Sequence, residues 1–341
     1  MAHTELQGFD ARRALRQALC AWRERGAIGA PRAMQAWRAT EPTAASWAAW
    51  LDRALLILGA ALLCAGVVVF FAFNWQALHK FARFGVLAAL VTALAGFAAL
   101  RPPNDALGRA ALFGASVSTG VLLAVIGQVY QTGADAWQLF ALWAALSIPW
   151  ALAARAAPHW WLVIVLANVA LLRWFSLRPG VSGMFELMFG SADKLAPLLL
   201  TAGAMAQLAL WFALCRWAPG LGFRGRAGAR ILAALACGYA GALGMGAVVV
   251  REFDIGLFIA ALLILGLLTW WFRARTFDVL VLSLAAFAGI AVTVAAIGRL
   301  VFEGRSETGG FLVLGMVTIG LSAAAATWLT RAYRRSVAEA S

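Results

Sequence analysis

Along its length the chain alternates long, uncharged apolar runs with short segments that hold nearly all of its charge. The runs fall at about residues 54–73, 84–100, 110–127, 137–154, 156–172, 195–214, 231–250, 255–272, 279–298 and 310–329. Each approaches the ~20 residues that an α-helix needs to cross the hydrocarbon of a bilayer. Their apolar character is continuous rather than alternating, which predicts helices and excludes a barrel, the other structure that pairs all its backbone groups in lipid. The expected fold is an all-α, polytopic transmembrane helical bundle of about ten helices with a small N-terminal cytosolic helical region. The second and fifth runs are the shortest, at 17 residues each.

Between these runs the chain divides into five parts: an amphipathic region at 1–50, a first group of five helices at 54–172, an outer loop at 173–194, a second group of five at 195–329 and a basic tail at 330–341. In the first part Leu15, Leu19 and Trp22 recur at helical spacing between arginines, Gly26 is placed to end that helix, and Met34 with Trp37 starts a second stripe after Pro31. This predicts a helical hairpin on the membrane surface, or a docking site for a membrane or cytosolic protein partner. Trp47 and Trp50 precede the first run, where aromatic anchors meet headgroups.

Composition agrees with the pattern. The 341 residues are 63% hydrophobic and 13% charged, whereas soluble domains average roughly 45–50% and about 25%. The lipid bilayer is therefore the principal partner. Net charge is +13, and all the basic residues except Lys80 and Lys194 are arginines. Such basicity in a soluble protein would suggest nucleic acid; here it predicts no nucleic acid, because basic residues beside spans hold loops on the cytoplasmic side. With the N-terminus inside, inner segments carry 20 of the 28 basic residues and outer loops 8. That asymmetry predicts an even number of spans with both termini cytoplasmic. No signal peptide precedes the first long run, so the N-terminus is expected to stay in the mature protein. Cys20, Cys64, Cys215 and Cys237 lie too far apart for a zinc or disulfide framework, and no cofactor is expected.

The stretch Ile126–Trp137 joins the third and fourth runs and concentrates polar chemistry at the outer boundary. It holds Gln128, Tyr130, Gln131 and Asp135, with Gly127 and Gly133 to turn the backbone. Asn74 and Trp75, closing the first run, face the same side in this topology. Asn74, Trp75, Gln128, Tyr130 and Asp135 are therefore the candidate outward-facing polar site. The plainer alternative makes Asp135 a helix N-cap and the aromatics interfacial anchors.

Other apparent motifs lack their context. Gly220-Leu-Gly222-Phe-Arg-Gly225 spells G-x-G-x-x-G, but it follows a span instead of a strand and is expected to be a flexible basic loop. Ser116 has no histidine in a later span to act as its base, so Gly114, Ser116, Ser118 and Gly120 predict a close-packing face, as do Gly238, Gly241, Gly244 and Gly246. No residue in the ten runs carries a fixed charge. Ion-coupled transporters usually place carboxylates there despite a cost of about 2.5–3.5 kcal/mol, so such coupling is disfavoured. Asn168 and Gln207, the strongest polar groups deep in the runs, are expected to bond other helices. Met184–Phe189 predicts a short interfacial helix with Glu186 outward.

Residues 10–155 resemble the bacterial predicted membrane proteins grouped as domain of unknown function 2157. The resemblance rests on the basic N-terminal hairpin, Phe73-Asn74-Trp75, the Ala77–Arg83 step into the second run and Ile126-Gly-Gln-Val-Tyr130. Here Gly133-Ala-Asp135 stands where the family carries Gly-Asp. The resemblance implies a bacterial inner-membrane protein and brings no activity with it. The expectation is a non-enzymatic scaffold or binding and transport module; alternatives are a membrane enzyme acting on a lipid-linked substrate, with Asp135 as acid or base, and a regulatory partner subunit.

Overall fold

In the computed structural model, residues 27–39 and 78–339 are described, except 103–104, 131–132, 134, 190–194, 250–252 and 304–306, together with isolated positions between 15 and 69. The described residues are all-helical, without a strand. The chain divides into two compact units, Met1–Leu78 with Arg335–Ser341, and His79–Arg334.

In the first unit, helical positions at 18–20 and 22–23 are followed by a turn at 27–29 and by α1 (Ala30–Ala39). Pro31 sits in the first turn of α1, where its missing N–H has no partner to lose. Leu19 and Ala33 are buried, while Leu15, Trp22 and Met34 are exposed.

The second unit contains α2 (Lys80–Ala99), α3 (Ala106–Tyr130), α4 (Ala136–Ala154), α5 (Ala157–Trp174), α6 (Val181–Phe189), α7 (Leu195–Trp217), α8 (Ala227–Val249), α9 (Ile255–Ala274), α10 (Val279–Glu303) and α11 (Glu307–Glu339), the last extending past its boundary. Nine of these are long and apolar enough to cross a membrane, all except the nine-residue α6. They fall on nine of the ten apolar runs; the remaining run, 54–73, lies almost wholly outside the described residues. The two short runs become helices of 20 and 18 residues, roughly 30 and 27 Å long at 1.5 Å per residue.

Local chemistry starts and stops these helices. Pro158 opens α5. The Asp254 carboxylate accepts the Leu257 N–H at 3.1 Å to cap α9. Asp278 accepts the Leu280 N–H at 3.1 Å to start α10, and its other oxygen takes the Arg230 Nε–H at 2.7 Å. Each cap satisfies a donor that the first helical turn leaves open.

Packing follows chain order through α2, α3, α4 and α5, each against the next. The later helices are arranged differently, because α8 packs against α6, α7, α9 and α10. Glycines permit these approaches: a Cβ at Gly228 would overlap the Trp211 ring of α7, and one at Gly244 would come within 2.8 Å of Val292 on α10 and 3.1 Å of Ala261 on α9. The main buried core gathers around α8, from Leu200, Ala204 and Trp211 on one side to Leu268, Phe272, Val281 and Leu282 on the other.

The short helix α6 is more deeply placed than a surface connector. Gly183 and Leu187 are buried, the Leu187 carbonyl lies 3.5 Å from a Cβ built at Gly246, and the Met184 Cε 3.2 Å from one at Gly238. The interfacial helix expected from Met184–Phe189 thus packs on the second half of α8. Glu186 turns outward and accepts the Arg178 N–H at 3.3 Å.

Candidate functional site

The polar turn lies where α3 ends and α4 begins. Gln128 and Tyr130 occupy the last turn of α3, and Asp135 is the N-cap residue of α4. All three are exposed. Two residues apart on a helix means about 200° of rotation, so Gln128 and Tyr130 point to opposite sides of α3. Tyr130 stacks on Phe84 of α2, with ring centroids 5.8 Å apart and planes 5° from parallel. Asp135 makes no side-chain cap bond; only its carbonyl takes part, accepting the Gln138 N–H at 3.0 Å. It differs in this from Asp105, Asp254 and Asp278, each of which accepts a backbone N–H near the start of a helix. Among the described residues no hydrogen bond joins Gln128, Tyr130 and Asp135. Gly133, at φ +64°, supplies the left-handed turn between the helices. Asn74 and Trp75 lie outside the described residues.

Inside the spans, polar side chains meet one another. Asn168 Nδ2 donates to Gln207 Oε1 at 2.8 Å, joining α5 to α7, and to the Ile164 carbonyl at 2.9 Å. Ser116 Oγ donates to Ser147 Oγ at 3.0 Å, joining α3 to α4. Beside it the Trp143 ring covers Gly120, where any Cβ would overlap it, and Trp143 Nε1 donates to the Ser116 carbonyl at 3.0 Å. Hydrogen bonds of this type hold helices together in lipid, where hydrophobic attraction between helices is absent.

At the opposite end of the bundle lies an ordered junction that local sequence did not reveal. Residues Pro219–Leu221 form a 3₁₀ turn, and Gly222 follows at φ +97°. A Cβ at Gly222 would stand 2.5 Å from the Ala156 nitrogen, so only glycine fits the approach to the start of α5. Trp160 Nε1 donates to the Leu221 carbonyl at 2.8 Å, and its ring stacks on Phe223 at 4.3 Å; Trp211 meets the same phenyl edge-on at 5.4 Å. The expected flexible basic loop is therefore pinned. Of its three glycines Gly222 alone serves chain approach, a Cβ at Gly220 or Gly225 meeting nothing within 4 Å. Phe223 is buried between two tryptophans, and that aromatic residue inside the G-x-G-x-x-G was the available signal.

Residues 20–160 match the model of a family described as predicted membrane protein, domain of unknown function 2157. The matched segment contains Asn74, Trp75 and the α3–α4 turn. No curated protein and no solved structure matches the chain. The chain is thus a membrane protein with many apolar helices, similar over that segment to a family without an assigned activity.

Proposed function

We propose that this chain is a non-enzymatic scaffold or binding and transport module of a bacterial inner membrane. Both termini lie in the cytoplasm, and the α3–α4 turn faces outward. The observation that carries this reading is the closure of α8 by its neighbours. Fourteen of its 23 residues are buried, on every side, and its glycines bring α7, α9 and α10 into direct contact. Interiors packed in this way resist rearrangement, which favours a rigid scaffold over a carrier that must open and close. Exposed polar groups at the α3–α4 turn then serve recognition at the surface.

Catalysis at Asp135 would require a second titratable group within hydrogen-bond reach or one water of the substrate. The carboxylate's exposure and its lack of a hydrogen-bonded partner among the described residues favour binding instead. A docking role for residues 1–50 draws support from the exposed Met34 on α1.

The test combines Asn74→Ala, Gln128→Ala and Asp135→Asn in one chain and compares cross-linked or co-purified material with the wild type. Loss of a bound component with intact folding supports the outward-facing site; unchanged binding and an unchanged cellular phenotype remove it. Deleting residues 1–45 separately reports whether a cytosolic component is held there. Reporter fusions at 133 and at the C-terminus test the orientation.

A further inference from the structure

Gln207 stands at the middle of α7, twelve residues after Leu195 and ten before Trp217. At 1.5 Å per residue the nearer end of the helix is about 15 Å away, beyond the reach of a glutamine side chain. Water and headgroups therefore offer its amide nothing at this depth. Its oxygen accepts from Asn168 Nδ2 at 2.8 Å, and the second N–H of that nitrogen goes to the Ile164 carbonyl at 2.9 Å. The Ile164 carbonyl fixes the arrangement. Only the nitrogen of Asn168 can donate to it, so Gln207 presents oxygen to Asn168 and turns its own nitrogen elsewhere. Asn168 Oδ1 is shut away without a hydrogen bond, and no other described group accepts from Gln207 Nε2. A side-chain amide carries two N–H donors and an oxygen able to accept twice. Gln207 thus keeps both donors and half of its acceptor capacity open in a medium that cannot meet them.

The surface beside it is open as well. Gln207 is partly exposed, and Leu199, Ala202, Ala206, Ala209 and Leu210 are exposed along the adjoining side of α7. Their spacing of three or four residues places them on one face of the helix. The three alanines in that face leave room for the backbone of another helix to come close. The opposite side of α7, with Leu200, Ala204 and Trp211, belongs to the buried core around α8.

We propose that this face of α7 docks against α7 of a second copy of the chain, about a two-fold axis along the membrane normal. The occupant follows from depth and from hydrogen-bonding capacity. Such an axis brings the same patch of both copies together at the same depth, so that each Gln207 meets the other in mid-membrane. Each Nε2 then donates to the other copy's Oε1, on the lone pair that Asn168 leaves free, and one pairing satisfies both chains. Lipid tails have no acceptor, and an unrelated span would need an exposed one of its own at that depth. The inference does not depend on the outward-facing site.

For the test, full chains carrying a donor or an acceptor fluorescent protein at the C-terminus are reconstituted together in vesicles of phosphatidylethanolamine and phosphatidylglycerol. Energy transfer is followed as added lipid dilutes the protein. Wild type is expected to show transfer above the level set by random proximity. Gln207→Leu and Ala206→Leu should each move the half-point to a protein-to-lipid ratio about tenfold higher. Gly315→Leu, which adds bulk on the open side of α11, should leave it unchanged. Transfer no greater than random proximity at every ratio overturns the proposal and leaves the face to lipid or to a different protein. Self-association that persists unchanged in both α7 variants, or that is lost with Gly315→Leu instead, overturns it too. If Gln207→Leu fails to fold, Ala206→Leu carries the same test, because it crowds the exposed face and keeps both Gln207 and Asn168.

Discussion

Helices α2 and α8 have the same mean hydropathy, yet α2 buries one residue, Leu87, and α8 buries fourteen. Both can sit in a bilayer; only α8 is surrounded by protein. The difference reflects how each helix uses its small residues. In α8 the glycines meet Trp211, Val292, Ala261 and Ala288, while a Cβ at Gly85 or Gly96 of α2 would meet nothing within 4 Å. Small residues alone do not identify a hub. Gly309, Gly315 and Gly320 of α11 also look onto open space, and no residue of that helix's most apolar stretch is buried. A stripe of glycine matters only where another helix reaches it, because contact between helices in lipid depends on packing and hydrogen bonds rather than on hydrophobicity.

The contrast can be broken most forcefully at the glycines. Gly228→Val or Gly244→Leu drives a side chain into Trp211 or into Val292 and Ala261, and each should destabilise the bundle by about 1–3 kcal/mol or more. Unfolding of the detergent-solubilised protein by heat or by a denaturing detergent measures the loss. The matching substitution Gly85→Val should stay within about 0.5 kcal/mol of wild type. Equal effects at Gly85 and Gly228 would erase the distinction between the two helices. Gly222→Ala tests the junction of α5 with the 218–226 loop. It combines a left-handed backbone with a collision at Ala156, and should cost about 1–3 kcal/mol, together with a red shift in tryptophan fluorescence as the buried Trp211 gains exposure.

Smaller effects sharpen the comparison. Asn168→Leu strips Gln207 Oε1 of its donor and should lower stability by about 0.6–2 kcal/mol, with Gln207→Leu adding less to the double variant than it costs alone. The smaller of the two hydrogen-bond losses is Ser116→Ala, expected near 0.6 kcal/mol, which a double-mutant cycle with Ser147→Ala should show to be shared between the two hydroxyls. Independence of the two serines would mean that the 3.0 Å bond between them contributes nothing measurable.

Much of this was legible along the chain. The uncharged runs locate nine described helices, eight of them within a few residues, while α11 runs ten residues past its run. The Asn168–Gln207 bond follows from the rule that polar groups in lipid seek other helices. The expected single face of Gly114, Ser116, Ser118 and Gly120 instead divides into two, Gly114 meeting Leu94 of α2 and Ser116 and Gly120 meeting Ser147 and Trp143 of α4. The candidate site was less legible. Gln128 and Tyr130 are neighbours in sequence and face apart in space, because two residues on a helix span more than half a turn. The Gly220–Gly225 segment looked like a loose loop because local composition cannot show that Phe223 inserts between Trp160 and Trp211, 63 residues before it and 12 residues before it. His159 looked like a segment end; its burial depends on Phe113 and Arg109, which another helix supplies.

By itself the sequence determined the solvent: apolar runs of bilayer length oblige the chain to be helical, since lipid offers no partner for an unpaired backbone group. It also determined where the charge had to stay, outside those runs. Tertiary structure alone decided which helix became the centre, which glycines were filled by a neighbour and which histidine was shut away beside an arginine. Hydropathy is a property of each segment and can be read along the chain, whereas contact belongs to pairs of segments and depends on which faces the fold brings together.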